Sequence, residues 1–330
     1  MGRMSQLHTL LALCLFCSLT PAAQESELSQ DALTPAETVR DEHVLTRAVV
    51  TGASISDGFG LAKELGTGMK LAQVFEASCI KESASFTALG DSRFFIEPVS
   101  AGRRIVDVAI ETKASCFIGV DFLFWYAYGN KSTARRLQHL EQGLKELERL
   151  KCPVLLGDMP DMSMALSGGY FGRPLITEKM IPSEDALKTL NARLIEWVGA
   201  RESAEIIPLK ALLTKIQAGE TIELRKQRYQ PEELPELMQA DNLHLSAKGS
   251  IAVSLLTADL LVKRHEELRA EDFLFDRTKA RASLDELALK TKEEELAARE
   301  ARKEQRRRER EERREARERE KEVEEQQSKD

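Results

Sequence analysis

The stretch VVTGASISDGFG, residues 49–60, sets the reading of the whole chain. A short β-branched run, beginning at Ala48, ends in Gly52. Ser54 and a glycine-bearing turn follow at once. A serine at the end of a strand is held at a sharp turn, with its hydroxyl on the side of the sheet where ligands bind. The nucleophile elbow of α/β-hydrolases needs glycine two residues after the serine. Ser56 stands there, which disfavours that fold.

Outward from this stretch the pattern repeats. Ser115 to Asp121, Pro153 to Leu156 and Glu205-Ile206-Ile207 are further apolar runs of strand length. Amphipathic helices lie between them. Leu137, Leu140, Leu144 and Leu147 fall at helical steps after Ser132, and Leu187, Leu190, Leu194 and Trp197 do so after Ser183. Alternation of buried strands with helices predicts an α/β fold: a three-layer α/β/α sandwich of flavodoxin-like character around a central parallel sheet. Sites in such folds form at the carboxyl ends of the strands.

A second block, DNLHLSAKGS at residues 241–250, precedes an apolar helix with Ile251, Leu255 and Leu256. Asp241 and His244 are three residues apart, close enough for a carboxylate to orient an imidazole. Orientation fixes the tautomer and stabilises the imidazolium, which a serine's general base requires. His43 falls in a linker region, His139 in an amphipathic helix and His265 in a charged run, so His244 has the setting for catalysis.

Together the blocks Gly52-Ala53-Ser54-Ile55-Ser56 and Asp241-Asn242-Leu243-His244 resemble the SGNH/GDSL hydrolase family, over about residues 45–268. Ala53 stands where that family usually has Asp. The resemblance implies a serine esterase with Ser54 as nucleophile, His244 as base and Asp241 as its orienting acid. It implies an oxyanion hole built from the Ser54 backbone N–H, a glycine N–H and an asparagine side chain. Gly102 suits the glycine, with Gly90 as competitor. Asp121 occupies the asparagine position, yet an ionised carboxylate cannot donate a hydrogen bond. Asn130 is the alternative donor if the aromatic loop folds back. No metal or organic cofactor is implied. The substrate would be a small-molecule or carbohydrate ester, and a catalytically weak binding or structural envelope protein on the same fold is the alternative.

Other residues compete for these roles. Gly90-Asp91-Ser92 spells the family signature literally, but Phe94-Phe95 follows it and no clean strand leads in from Glu82. Gly157-Asp158-Met159-Pro160-Asp161 places two carboxylates after a strand, as loop-shaping groups or ligands. Residues 122–126, Phe-Leu-Phe-Trp-Tyr, could line a pocket or fill a core.

The 330 residues divide unevenly. Arg3, the apolar run Leu10 to Leu19 and Ala22-Ala23 read as a signal peptide over residues 1–23, implying an exported, periplasmic or secreted protein. Residues 24–44 read as a linker, 45–275 as the hydrolase domain and 276–330 as a charged tail, helical or disordered. Cys79, Cys116 and Cys152 form no CxxC pair, and the latter two sit in apolar runs as inert thiols. The net charge of −7 suggests no nucleic-acid partner. From about Lys290 onward, nearly every residue is charged, Ala or Gln. Glu304–Arg308, Glu309–Arg313 and Glu315–Arg319 are spaced as i,i+4 pairs. Leu296 is followed by no apolar seam, which argues against a coiled coil. Arg306-Arg307-Arg308 could touch an anionic surface, although the neighbouring glutamates weigh against a specific phosphate site. No partner of the tail can be named from these residues.

Overall fold

The computed structural model describes residues 43–169 and 173–327, with the last helix's side chains described through residue 319. The expected signal peptide and nearly all of the expected linker lie outside the described residues.

The elements run β1 (Ala48–Thr51), α1 (Leu61–Leu65), α2 (Leu71–Ser78), β2 (Phe86–Ala88), α3 (Pro98–Glu111), β3 (Cys116–Gly119), α4 (Phe124–Ala127) and α5 (Thr133–Leu147). They continue with β4 (Val154–Gly157), α6 (Glu184–Gly199), β5 (Ala204–Ile207), α7 (Leu209–Ala218), the hairpin β6 (Ile222–Leu224) and β7 (Gln227–Tyr229), α8 (Ala247–Arg264) and α9 (Arg277–Gln327). β1 to β5 form one sheet in the order β2-β1-β3-β4-β5, parallel throughout. This is the doubly wound, flavodoxin-like order. One layer of helices joins α3, α5 and α6, and another joins α2, α8 and α9.

Every residue of β1, β3 and β4 is buried, as expected for strands covered on both faces. β2 escaped the sequence reading because Phe86-Thr87-Ala88 is a short edge strand with an exposed centre and no apolar run. It does lead into Gly90-Asp91-Ser92, so the expectation that no strand precedes that motif is corrected. The helices start where their caps predict. The Ser132 and Ser183 hydroxyls accept the N–H groups of Arg135 and Ala186, satisfying donors that the helix leaves unpaired.

The boundaries differ from the sequence reading at both ends. His43 and Val44, assigned to the linker, are buried. Residues 276–330 do not separate cleanly as a tail: α9 packs on α2 and α8, and Ala280, Leu284 and Ala288 belong to the core. Their spacing of four residues keeps them on one helix face. Beyond them α9 continues as one exposed helix.

The strand order reverses at β1, which makes the switch point of the sheet. β1 pairs with β2 on one side and β3 on the other. The segments after β1 and β3, carrying Ser54 and Asp121, therefore meet above the same crevice.

Candidate active site

Ser54 opens the turn after β1. The carbonyls of Ala53, Ser54 and Ile55 accept the N–H groups of Asp57, Phe59 and Gly58, at 2.9, 2.9 and 3.1 Å, winding residues 53–59 into a tight helical turn. The Ser54 hydroxyl lies 2.8 Å from Nε2 of His244, across 190 positions of chain. The other ring nitrogen, Nδ1, lies 2.9 Å from Asp241 Oδ2.

The three-residue spacing of Asp241 and His244 has a local cause. Asp241 Oδ1 accepts the N–H groups of Leu243 and His244, both at 2.9 Å, folding the chain into an Asx-type turn. Asn242 takes a left-handed φ of 51° in that turn, a conformation asparagine tolerates. The turn swings the imidazole back onto the second carboxylate oxygen. Asp241 is fully buried and His244 nearly so. Burial alone would push the Asp241 carboxyl up, but hydrogen bonds from the His244 ring and the two amides hold it below its ordinary value. With an acidic carboxylate at Nδ1, the ring proton sits there and Nε2 is left to accept from Ser54.

His43 makes the opposite arrangement. Its Nδ1 accepts the Leu45 N–H at 3.1 Å, so Nε2 carries the proton toward Ser83 Oγ at 2.7 Å. That serine–histidine pair has the wrong tautomer for general-base chemistry.

Among solved structures, the chain is similar to the crystal structure of the lipase/acylhydrolase from Enterococcus faecalis, at TM-score 0.44 and 20% identity, over 68% of this chain and 100% of that one. No protein-family model matches the sequence, and no curated protein matches it.

The expected oxyanion residues are placed differently. Gly102 lies inside α3. The preceding residue, Ala101, already donates to Glu97 O, so Gly102 is past the first turn and its N–H falls within the helical ladder. Its lack of a side chain serves packing: a Cβ there would stand 1.9 Å from the Tyr126 hydroxyl oxygen. Asp121 reaches the site but as an acceptor. Its Oδ2 takes the Ile55 N–H at 2.8 Å, and its Oδ1 takes the Ser56 hydroxyl at 2.6 Å and the Ser56 N–H at 3.2 Å. Burial pushes this carboxyl up, against those same hydrogen bonds. Asn130 belongs to a loop tied elsewhere. Gly129 N–H donates to Met180 O, and the Arg136 guanidinium holds the carbonyls of Ala127, Gly129 and Lys131. Asn130 does not line the cavity at Ser54.

Gly90, the competing glycine, packs directly on the serine turn, where a Cβ would come within 2.5 Å of Asp57 N and 2.6 Å of Ser56 C. Ser92 contacts no histidine among the described residues. Its hydroxyl and N–H both donate to Asp57 Oδ2, and Lys70 pairs with Asp57 Oδ1. Asp158 accepts the Lys210 N–H at 2.6 Å and Asp161 caps Ser163, so both shape loops.

A narrow apolar slot of about 40 Å³ runs from Ser54 between Trp125, Leu213, Met238 and Leu245. Phe124 and Trp125 line it, whereas Phe122 and Tyr126 are fully buried in the core, so the aromatic run serves both purposes.

Two contributors had no visible signal in the sequence. Gln239 donates from Nε2 to Phe59 O and Leu245 O, at 2.6 and 2.8 Å, tying the serine turn to the histidine segment. Phe59 lays its ring 4.3 Å from the His244 ring, tilted by 31°. Both contacts join segments about 180 residues apart, a juxtaposition no local pattern reports.

Proposed function

We propose that this chain is an exported SGNH-type serine esterase that hydrolyses short-chain acyl esters through an acyl-Ser54 intermediate. The observation that carries the reading is the continuous hydrogen-bonded chain from Ser54 Oγ through His244 to Asp241, opening on the apolar slot.

Ser54 Oγ attacks the ester carbonyl carbon as its proton passes to His244 Nε2. The tetrahedral intermediate collapses, the carbon–oxygen bond to the alcohol breaks, and His244 returns the proton to the departing oxygen. Water then repeats the sequence on the acyl-serine. The backbone N–H of Ser54 and, because Gly90 packs directly on the serine turn, the Gly90 N–H are the donors assigned to the oxyanion. Asp121 gives no third donor. A missing donor of this type costs about 2.7–4 kcal/mol of transition-state stabilisation, so turnover is slow. The narrow slot takes the acyl group and suits acetyl or another short chain. An acetylated carbohydrate or a small lipid ester fits equally.

Labelling by a fluorophosphonate probe and turnover of nitrophenyl acetate test this reading together. Ser54→Ala abolishes both, while Ser92→Ala leaves both largely intact. Labelling that survives Ser54→Ala and is lost in Ser92→Ala moves the nucleophile to the literal GDS motif. No labelling and no turnover in the wild type leaves the binding-protein alternative standing.

A further inference from the structure

Read along the chain, residues 299–319 mix arginine and glutamate without order, but the helix separates them. Arg299, Lys303, Arg306, Arg310, Arg313 and Arg317 follow one another at steps of four and three. At 3.6 residues per turn they fall within an arc of about 80°. Glu300, Glu304, Glu311, Glu315 and Glu318 occupy a second arc, centred roughly 125° away; Glu312 lies behind that arc, and Glu309 alone flanks the stripe on its other side, about 40° beyond its edge. The ion pairs within this stretch use other cations: Arg307 and Arg308 bind Glu304, Arg314 binds Glu318 and Arg319 binds Glu315. None of the six stripe cations pairs with a described side chain, and all are exposed. The result is a row of cations without ion pairs about 27 Å long at 1.5 Å per residue.

We propose that this stripe binds a linear acidic polysaccharide. The charge pattern fits a single extended polyanion lying along one side of the helix. A helix seated in the major groove of duplex DNA has phosphates on both sides, and the glutamate arc would face one wall. Single-stranded nucleic acid is held largely by stacking on aromatic rings, and residues 290–319 contain none. Insertion into a lipid surface needs a large apolar face, and beyond Leu296 the described side chains of this helix offer only alanines. The helix leaves the domain close to the candidate active site. Glu295 accepts the Thr67 hydroxyl at 2.9 Å, and Met69, two residues on, places its carbonyl where a Cβ on Gly58 of the serine turn would collide. A polymer held on the stripe is thereby tethered to the domain through the helix that contacts the segment behind the serine turn, whether or not Ser54 acts on it.

Binding of the full chain to polygalacturonate, in a Ser54→Ala background that prevents turnover, tests the assignment. Two matched variants each remove two positive charges. Arg306/Arg313→Gln lies on the stripe, and Arg308/Arg319→Gln lies off it. Glutamine keeps helix propensity close to that of arginine, and circular dichroism checks that helicity is retained. The stripe variant should weaken binding roughly tenfold at moderate salt and lower the log–log salt slope by on the order of 1. The off-stripe variant should change affinity less than twofold. Equal losses in the two variants would reduce the effect to net charge and overturn the proposal. So would an absence of binding to polygalacturonate, or tighter binding to duplex DNA, single-stranded DNA or phosphatidylglycerol vesicles.

Discussion

The Asp121 carboxylate stands 2.6 Å from the Ser56 hydroxyl and, through its other oxygen, 2.8 Å from the Ile55 amide nitrogen. The residue that would sit in an oxyanion donor's place is therefore a brace for the serine turn. Gly52 makes the brace possible, because a Cβ there would stand 2.0 Å from Asp121 Oδ1. Asp121→Asn turns one acceptor oxygen into a donor amide against N–H groups that cannot rotate away. Urea unfolding should show a loss of about 1–3 kcal/mol, with nitrophenyl acetate turnover reduced as Ser54 loses its fixed position. A variant equal to wild type in both measurements would remove the bracing role.

Asp241→Asn should preserve the fold yet lower kcat by roughly 10³–10⁴-fold. The amide directs a donor at Nδ1 and forces the proton onto Nε2, where it opposes Ser54. The same substitution reports on acid stability. The Asp241 carboxyl is held below its ordinary value when folded. Its contribution is fully present above the unfolded value of about 3.9 and is lost as pH falls through the lower folded value. Melting temperature followed from pH 6 downward should fall less steeply in Asp241→Asn than in wild type.

Leu213, on α7, forms one wall of the slot and is buried. Leu213→Ala should shift the preference from acetyl toward butyryl and hexanoyl nitrophenyl esters. A shift of 10–200-fold in relative kcat/KM is the scale of about 1–3 kcal/mol for hydrophobic pocket contacts. The ratio between esters is the readout, so a general loss of stability does not imitate the result. An unchanged chain-length profile would place the acyl group elsewhere.

Leu284, on α9, is fully buried where that helix packs on α2 and α8, whereas Leu296 farther along it is about half exposed, at 51%. Leu284→Ala should destabilise the domain by about 2–5 kcal/mol, the cost of a large-to-small change in a core. Leu296→Ala should stay within about 0.5 kcal/mol. Urea midpoints distinguish them, and equal effects would mean that the first turns of α9 are not part of the domain.

The strand–helix alternation, the three buried central strands and the serine-then-DxxH order were legible along the chain, because they are written in local periodicity and short spacing. Asp241 and His244 could be paired on paper since one Asx-type turn joins them. Tertiary structure decided everything that depends on distant segments meeting. It brought Ser54 to His244, gave Asp121 the place of a brace under the serine turn, and buried Gly102 against Tyr126. It also joined the first turns of α9 to the core, because α2 and α8 offer an apolar face that Ala280, Leu284 and Ala288 cover when aligned on one side of a helix. The edge strand β2 stayed hidden for the complementary reason: three half-exposed residues become a strand only when β1 supplies their hydrogen-bond partners.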